Sequence, residues 1–141
     1  MSIRKTKHGY RVTNLQDLFF YTLYNVDSYW YVGRVVDRIA TKINNKLGID
    51  IKNYSIKLRG SELKHFLYSH FHELSSGQRS IHFDDIEELP KMINMYSYVL
   101  PGNKKDTLVF ERRYAKNTFQ LVVEINHAEK VLYGLSFRIK T

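Results

Sequence analysis

The fold is decided by Thr118-Phe119-Gln120-Leu121-Val122-Val123-Glu124-Ile125, in which apolar side chains recur at every second position. A period of two is typical of a β-strand with one buried face. The odd-numbered residues of this stretch are therefore expected to face a core. Its polar even-numbered residues, Glu124 among them, are expected to face the other side of a sheet.

Three further segments share this alternation, at residues 96–100, 107–113 and 131–139. Short connections between strands favour an antiparallel meander, so we expect a four-stranded antiparallel sheet. In its last strand one face should carry Val131, Tyr133, Leu135, Phe137 and Ile139, and the other Gly134, Ser136 and Arg138. The second side of the sheet should then be polar and partly cationic.

The first part of the chain has a helical period instead. Asn14 is a good N-cap for a helix that continues to about residue 26, and a second helix over residues 35–47 should end at Gly48. Residues 29–32, Tyr-Trp-Tyr-Val, are predicted to connect the two helices. A short strand at 54–58 and a third helix at 61–74 follow. Helices followed by an antiparallel sheet predict an α+β fold.

The length of 141 residues, with 43% hydrophobic residues, suits one compact domain. We divide residues 1–141 into an N-terminal helical part, 1–48, and a core, 49–141. The chain has no cysteine, which excludes disulfides, thiolate metal sites and a cysteine nucleophile. Neither a bilayer-spanning apolar run nor a signal peptide is recognisable, so we expect a soluble cytoplasmic protein without a membrane partner.

The charge balance favours an anionic partner. The formal net charge is +8, and the chain has eleven tyrosines that would suit stacking on exposed bases. These features indicate nucleic acid, although basicity alone is also compatible with a protein that is simply basic.

Residues 64–72, Lys-His-Phe-Leu-Tyr-Ser-His-Phe-His, place three of the six histidines on the predicted third helix. At about 100° per residue, His70 lies beside the apolar stripe of this helix, whereas His65 and His72 point the other way. His70 is then either a catalytic group or a satisfied core histidine, and His65 either borders a groove or is simply exposed. His82 and His127 are interpreted as surface histidines.

No metal site is predicted on this helix, because His65 and His72 lie two turns apart, about 10 Å along the axis, while His70 faces elsewhere. No cofactor is expected either. The common glycine-rich nucleotide-binding motifs are absent from the sequence.

Short motifs after residue 48 follow the order found in one nuclease family. Ile56-Lys57-Leu58, then Ser61-Glu62-Leu63-Lys64-His65-Phe66 and His70, resemble its strand, helix and paired histidines. Residues 85–93 resemble its acidic helix leading to Leu-Pro, and 98–99, 108–112, 119–124 and 135–137 resemble its sheet strands. The family is the phage-associated nuclease group with the barnase, EndoU, colicin and RelE-like fold, abbreviated PBECR. The resemblance covers about Ile49 to the end and leaves out the first two helices.

The resemblance implies a metal-independent endoribonuclease of the toxin or phage-effector type. Carried over residue by residue, the paired histidines correspond to His65 and His70, and the neighbouring lysine to Lys64. The polar position of the last strand corresponds to Ser136. Arg112 corresponds to the basic position after the second sheet strand.

Cleavage of RNA without metal needs a base for the 2′-OH, an acid for the leaving 5′-oxygen, and cations or donors at the phosphorane. Histidines supply the first two. Arg138 and Arg113 are candidate phosphate-binding residues, although paired cations also protect strand edges. Glu124 is a further substrate-binding residue or a rival base. The products would be a 2′,3′-cyclic phosphate and a 5′-OH.

RNA, with transfer RNA among the candidates, is the expected partner, and an inhibitor or immunity protein is the second. The alternative is a non-catalytic protein on the same scaffold that binds nucleic acid or a host protein. Proximity separates the two hypotheses. The enzyme hypothesis requires His65 or His70 within reach of Ser136 and an arginine.

Overall fold

The computed structural model describes residues 4–6, 9–68, 78–79 and 81–141. Within them the chain forms one mixed sheet of seven strands with four or more residues, extended by two shorter strands. The strands are β1 Arg4–Thr6, β2 Gly9–Val12, β3 Ser28–Arg34, β4 Ser55–Arg59, β5 Gln78–Arg79, β6 Tyr98–Pro101, β7 Thr107–Arg113, β8 Thr118–Asn126 and β9 Val131–Lys140. Four helices and one single-turn helix accompany them: α1 Leu15–Leu23, α2 Asp37–Leu47, α3 Gly60–Tyr68, α5 Leu89–Asn94 and the single turn α4 Phe83–Ile86.

The predicted α+β class and the antiparallel meander are confirmed, but the sheet is larger than predicted. Its order is β1-β2-β3-β4-β9-β8-β7-β6, and β5 pairs separately with β9. The meander β6-β7-β8-β9 is antiparallel throughout. However, β4 pairs with β9 in parallel and β2 pairs with β3 in parallel. The prediction of a four-stranded antiparallel sheet is therefore wrong in strand number and in strand direction.

The aromatic connector predicted at residues 29–32 is strand β3. Trp30 lies opposite Leu58 of β4 and belongs to the buried core, whereas Tyr29 and Tyr31 lie opposite Arg59 and Lys57. Four consecutive aromatic or branched residues hide this alternation, because all of them count as hydrophobic. The N-terminal part is therefore strand and helix together, not helical alone.

The helix signals at Asn14 and Gly48 are confirmed. Helix α1 ends at Leu23 and not near residue 26, and the predicted end of the third helix at residue 74 lies outside the described residues. Asn14 caps α1, with its side-chain oxygen accepting the Asp17 backbone N–H at 2.8 Å. Helix α2 ends at Gly48, whose left-handed φ of 69° is the conformation that glycine adopts at little cost. No helix in the described part of the chain is long and apolar enough to cross a membrane.

Strand β9 contains a bulge that changes which residues face the core. Val122 of β8 lies opposite Ser136, but the next residue, Val123, lies opposite Gly134. One extra residue in β9 therefore inverts its alternation before the bulge. Leu132 and Gly134 face the core, and Tyr133 faces the other side, so the predicted single core face of residues 131–139 is wrong.

The physical reason for the bulge lies in the packing under Gly134. A Cβ atom at this position would come within 3.2 Å of Leu58 Cδ1 and 3.5 Å of Phe66 Cζ. Phe66 of α3 is fully buried, and its ring lies 5.8 Å from that of Phe137. The glycine leaves the space that the Phe66 ring needs.

All of this packing lies on one side of the sheet, which we call the core face. One cluster of buried residues joins α1, α2, α3 and α5 to this face and includes residues from both 1–48 and 49–141. We call the other side the open face, because no described helix packs on it. The pairing register assigns to the open face Arg11, Tyr29, Tyr31, Lys57, Arg59, Tyr98, Glu111, Arg113, Gln120, Glu124, Tyr133, Ser136 and Arg138.

Candidate nucleic-acid interface

Cations lie directly over tyrosine rings on the open face of β2, β3, β4 and β9. The Arg11 guanidinium lies 4.4 Å from the centroid of the Tyr31 ring. Lys57 Nζ lies 4.8 Å from the Tyr29 ring, and the Arg59 guanidinium lies 4.4 Å from the Tyr133 ring. Each contact is worth about 0.5–1 kcal/mol at an exposed site and holds the cation in place.

These stacks put charge, not aromatic surface, in contact with solvent. Tyr29 and Tyr133 are only 5% and 3% exposed, because the cations cover them. The pKa of the Tyr133 phenol is raised, first by burial and then by its hydrogen bond to Glu129 at 2.6 Å, so the ring carries no negative charge near neutral pH. The result is a row of positioned cations that suits a line of phosphates.

The other half of the open face, on β7, β8 and β9, carries polar groups in a cross-strand row. Arg138 lies opposite Gln120, and the Gln120 side-chain amide donates to Glu111 Oε1 at 3.2 Å. Ser136 lies opposite Val122 in the neighbouring row, and Glu124 lies opposite Tyr133. A hydroxyl, a carboxylate and an exposed guanidinium therefore share one surface.

Three of the predicted site residues, Ser136, Arg138 and Glu124, thus lie on the same face of neighbouring strands. Arg113 also lies on the open face, at the end of β7, with Nη2 3.9 Å from Glu111 Oε2. Arg112 does not. Arg112 pairs with the core residue Phe119 and so belongs to the core face. Its guanidinium donates to the Met95 carbonyl and to the Tyr114 hydroxyl.

Lys64 and His65 lie on α3, which packs on the core face through Leu63 and Phe66. His65 is exposed on the solvent side of this helix, so the sheet separates it from Ser136. His70 and His72 lie outside the described residues. The structure therefore does not bring His65 and Ser136 together.

Lys64 takes part in a different arrangement, a cleft of about 350 Å³ at the end of β4. Arg59 lines the same cleft, together with Ser28 and Ser61. Arg59 also makes a 2.8 Å ion pair with Glu62 and covers the Tyr133 ring. It therefore connects the open face to the cleft that Lys64 borders.

Sequence reasoning missed two features of this surface. The first is the stacking of cations on Tyr29, Tyr31 and Tyr133, for which the alternating basic residues Lys57 and Arg59 were the available signal. The second is a contact of His127, interpreted from sequence as a surface histidine: its Nδ1 lies 2.6 Å from the hydroxyl of Tyr54. Seventy-three positions separate these two residues, so no local pattern indicates the contact.

Within the described residues, no three histidine, aspartate or glutamate side chains group together as metal ligands. The groups available on the open face and in the cleft beside Lys64 are cations, hydroxyls and carboxylates. They can bind phosphate and transfer protons.

Comparison with known protein families supplies the decisive observation. The model of a family described as PBECR3, phage-Barnase-EndoU-ColicinE5/D-RelE like nuclease3, matches residues 33–141. The chain belongs to this nuclease family. No curated protein and no solved structure matches it.

The PBECR3 match confirms the resemblance seen in the sequence and extends it. It begins at Gly33 and not near Ile49, so it includes α2. It includes β4, α3 and the whole meander. Membership of a nuclease family suggests a nucleic-acid substrate, and the cations of the open face suit such a substrate.

Proposed function

We propose that this PBECR3 protein is a metal-independent endoribonuclease that binds RNA along its open face. The observation that carries the proposal is the row of Arg11, Lys57 and Arg59 over tyrosine rings, on the one side of the sheet that no described helix covers. Membership of a nuclease family supports cleavage of the bound nucleic acid as well as binding.

RNA is favoured over DNA because it carries its own nucleophile. A 2′-OH needs only a proton acceptor to attack the adjacent phosphorus, whereas DNA needs an external nucleophile. Side chains can perform this proton transfer, and the open face carries the Glu124 carboxylate opposite Tyr133, whose ring lies under the Arg59 guanidinium. The products are a 2′,3′-cyclic phosphate and a 5′-OH.

Within the proposal, Arg138 and Arg113 bind phosphate oxygens, and the Ser136 hydroxyl donates one further hydrogen bond. Lys64 and Arg59 hold a phosphate at the cleft. His65 and His70 are the family-based candidates for base and acid, and Glu124 is the rival base. A toxin or phage-effector role, transfer RNA as a target and an inhibitor protein as partner rest on the family resemblance alone.

The alternative, a non-catalytic nucleic-acid-binding protein, is favoured by one observation. The sheet lies between His65 and Ser136, so these two candidates do not share a groove. Such a protein would keep the open face and bind RNA without cleaving it.

Incubation with RNA in excess EDTA separates the two functions. We expect the purified chain to cleave an oligoribonucleotide under these conditions, to leave cyclic phosphate and 5′-OH ends, and to leave the DNA oligonucleotide of the same sequence intact. His65→Ala and His70→Ala variants identify whether either histidine transfers the proton. RNA that is bound but stays intact at every protein concentration would falsify the nuclease proposal and support the alternative.

A further inference from the structure

A second and larger cleft, of about 720 Å³, lies at the opposite end of β4 from Lys64. Three connections meet there: the segment from α2 to β4, the loop from β6 to β7, and the turn from β8 to β9. Its charged and titratable lining consists of Asp50, Tyr54, Lys104, Lys105, Asp106 and His127. Nothing in the family-based assignment of His65, His70 and Ser136 uses these residues.

His127 lies between a phenol and a carboxylate in this cleft. The Tyr54 hydroxyl is 2.6 Å from His127 Nδ1, and Asp106 Oδ1 is 3.5 Å from His127 Nε2. Tyr54 is only 7% exposed, whereas the side chains of His127 and Asp106 are 48% and 44% exposed. A buried phenol therefore fixes the ring orientation, and the opposite edge of the ring faces a carboxylate at the surface.

The backbone holds the partners of this pair in place. Asp106 has a left-handed φ of 57°, a conformation that aspartate tolerates better than most residues, and its carbonyl accepts the Ile125 N–H at 2.7 Å. The turn that carries His127 is closed by the Glu129 N–H, which donates to Asn126 Oδ1 at 3.0 Å. The Ser55 N–H donates to the Lys130 carbonyl at 3.0 Å, which ties this turn to β4 beside Tyr54.

The protonation state of Tyr54 fits the role of an orienting group. Its pKa is raised, first by burial and then by the charges of Asp50 and Asp106. The phenol therefore keeps its proton near neutral pH, and its oxygen can accept the Nδ1–H of His127, which the ring carries both when it is protonated and after Nε2 has given up its proton.

We propose that Asp106 and His127 are the proton-transfer pair that cleaves RNA, with Tyr54 as the positioning residue. This inference rests on the proposed endoribonuclease function and gives its chemistry a different location from the histidine helix. Orientation of a histidine by a buried group, next to an accessible carboxylate, is the arrangement that general acid–base chemistry requires.

The step is a transesterification within the RNA chain. An Asp106 carboxylate oxygen takes the 2′-OH proton while the 2′-oxygen forms a bond to phosphorus. The bond from phosphorus to the 5′-oxygen breaks, and that oxygen takes the proton from Nε2 of protonated His127. The enzyme then holds a protonated Asp106 and a neutral His127, and proton exchange with water restores both.

The surroundings of the pair suit the charge of the phosphorane. Lys104 and Lys105 are exposed on the loop that precedes Asp106 and can approach the equatorial oxygens. Asp106 and His127 must separate to admit a phosphodiester between them. Both side chains are nearly half exposed, so a rotamer change can do this without disturbing the core.

The test compares matched pairs of variants on an oligoribonucleotide in EDTA. His127→Asn and Asp106→Asn should each lower kcat by about 100-fold or more, the usual range for losing a general acid or base. His82→Asn and Asp84→Asn are the controls and should stay within twofold of the unchanged protein. His82 is an exposed N-cap of α4, where asparagine is favourable, and Asp84 lies exposed in the first turn of that helix.

Tyr54→Phe tests the positioning role separately. Removing the hydroxyl should lower kcat about tenfold and leave KM unchanged, because the phenol orients the histidine and does not touch RNA. Two results would contradict this role. One is a loss of kcat in Tyr54→Phe no larger than that in His82→Asn or Asp84→Asn, and the other is a change in KM without a change in kcat. Thermal unfolding of each variant shows whether it is folded.

A binding measurement on the unchanged protein covers the case in which a variant does not fold. A 2′-deoxy oligonucleotide lacks the nucleophile, and its addition should shift the NMR ring signals of His127. Cleavage that His127→Asn retains, or unchanged His127 signals in the bound state, overturns the inference while the nuclease proposal stands. If the unchanged protein cleaves no RNA at all, both are rejected.

Discussion

The two faces of the sheet come from the same strands but differ in what lies against them. The core face carries residues such as Leu58, Phe110 and Phe137, which are fully buried beneath the helices. The open face carries alternate residues of the same strands, among them Lys57 and Arg138, and no described helix covers it. Under the proposed function, the difference teaches that folding and RNA binding depend mainly on separate sets of residues in each strand. Substitutions should therefore affect one without the other.

The largest expected effect comes from Gly134, which the bulge turns toward the core face. Gly134→Val introduces a branched side chain where a Cβ atom alone already comes within 3.2 Å of Leu58. Overpacking of this kind costs about 1–3 kcal/mol, so the free energy of unfolding should fall by that amount. Urea denaturation measures it.

Ser136→Val is the matched control, two residues along the same strand on the open face. Its free energy of unfolding should stay within about 0.5 kcal/mol of that of the unchanged protein, because valine suits a strand and meets no helix there. If Gly134→Val were as stable as Ser136→Val, the bulge would not turn residue 134 toward the core.

A smaller effect is expected at alkaline pH from Tyr133 on the open face. Burial and the hydrogen bond to Glu129 raise its pKa above the ordinary value of 10.0. The folded state then holds the phenolic proton more tightly than the unfolded state, so the stability contribution is complete below pH 10 and is lost as pH rises through the folded pKa. We expect the free energy of unfolding to decrease above pH 10.

Tyr133→Phe should reduce the slope of this decrease without removing it, because burial also raises the pKa values of Tyr54 and Tyr96. Denaturation curves between pH 8 and pH 11 provide the comparison. An identical slope in the unchanged protein and in Tyr133→Phe would show that Tyr133 titrates alike in the folded and unfolded states.

Local signals in the sequence predict much of the fold. The Asn14 cap, the Gly48 end of α2 and the alternation in β7 and β8 are set by neighbouring residues, and each is present in the structure. The parallel pairing of β4 with β9 and the assignment of residues 28–34 to a strand depend on contacts between distant segments. Periodicity contains no information about such contacts.

The same distinction applies to the candidate site. Alternation alone predicts that Ser136 and Arg138 share a polar face. It cannot predict that Phe66 of α3 requires a glycine at 134. Nor can it predict the bulge in β9 that turns this glycine toward the core face. Nor can it associate Tyr54, Asp106 and His127, which lie in three separate connections and meet only when the sheet is complete.

The central claim is that the open face is the RNA interface, and the salt dependence of RNA affinity tests it most directly. We compare two double variants that each lose two positive charges, with a 2′-O-methyl oligonucleotide that cannot be cleaved. Lys57→Gln with Arg138→Gln alters the open face. Lys42→Gln with Lys91→Gln alters exposed positions of α2 and α5 on the helix side.

The open-face pair should weaken binding about tenfold and lower the salt slope by about 1.4, since each phosphate contact to a single strand contributes about 0.7. The helix-side pair should change affinity less than twofold, with both variants folded; each loses one cation–tyrosine contact, at Tyr29 or at Tyr96, worth about 0.5–1 kcal/mol. Equal losses in the two pairs would mean that net charge alone attracts RNA, and would contradict an interface on the open face.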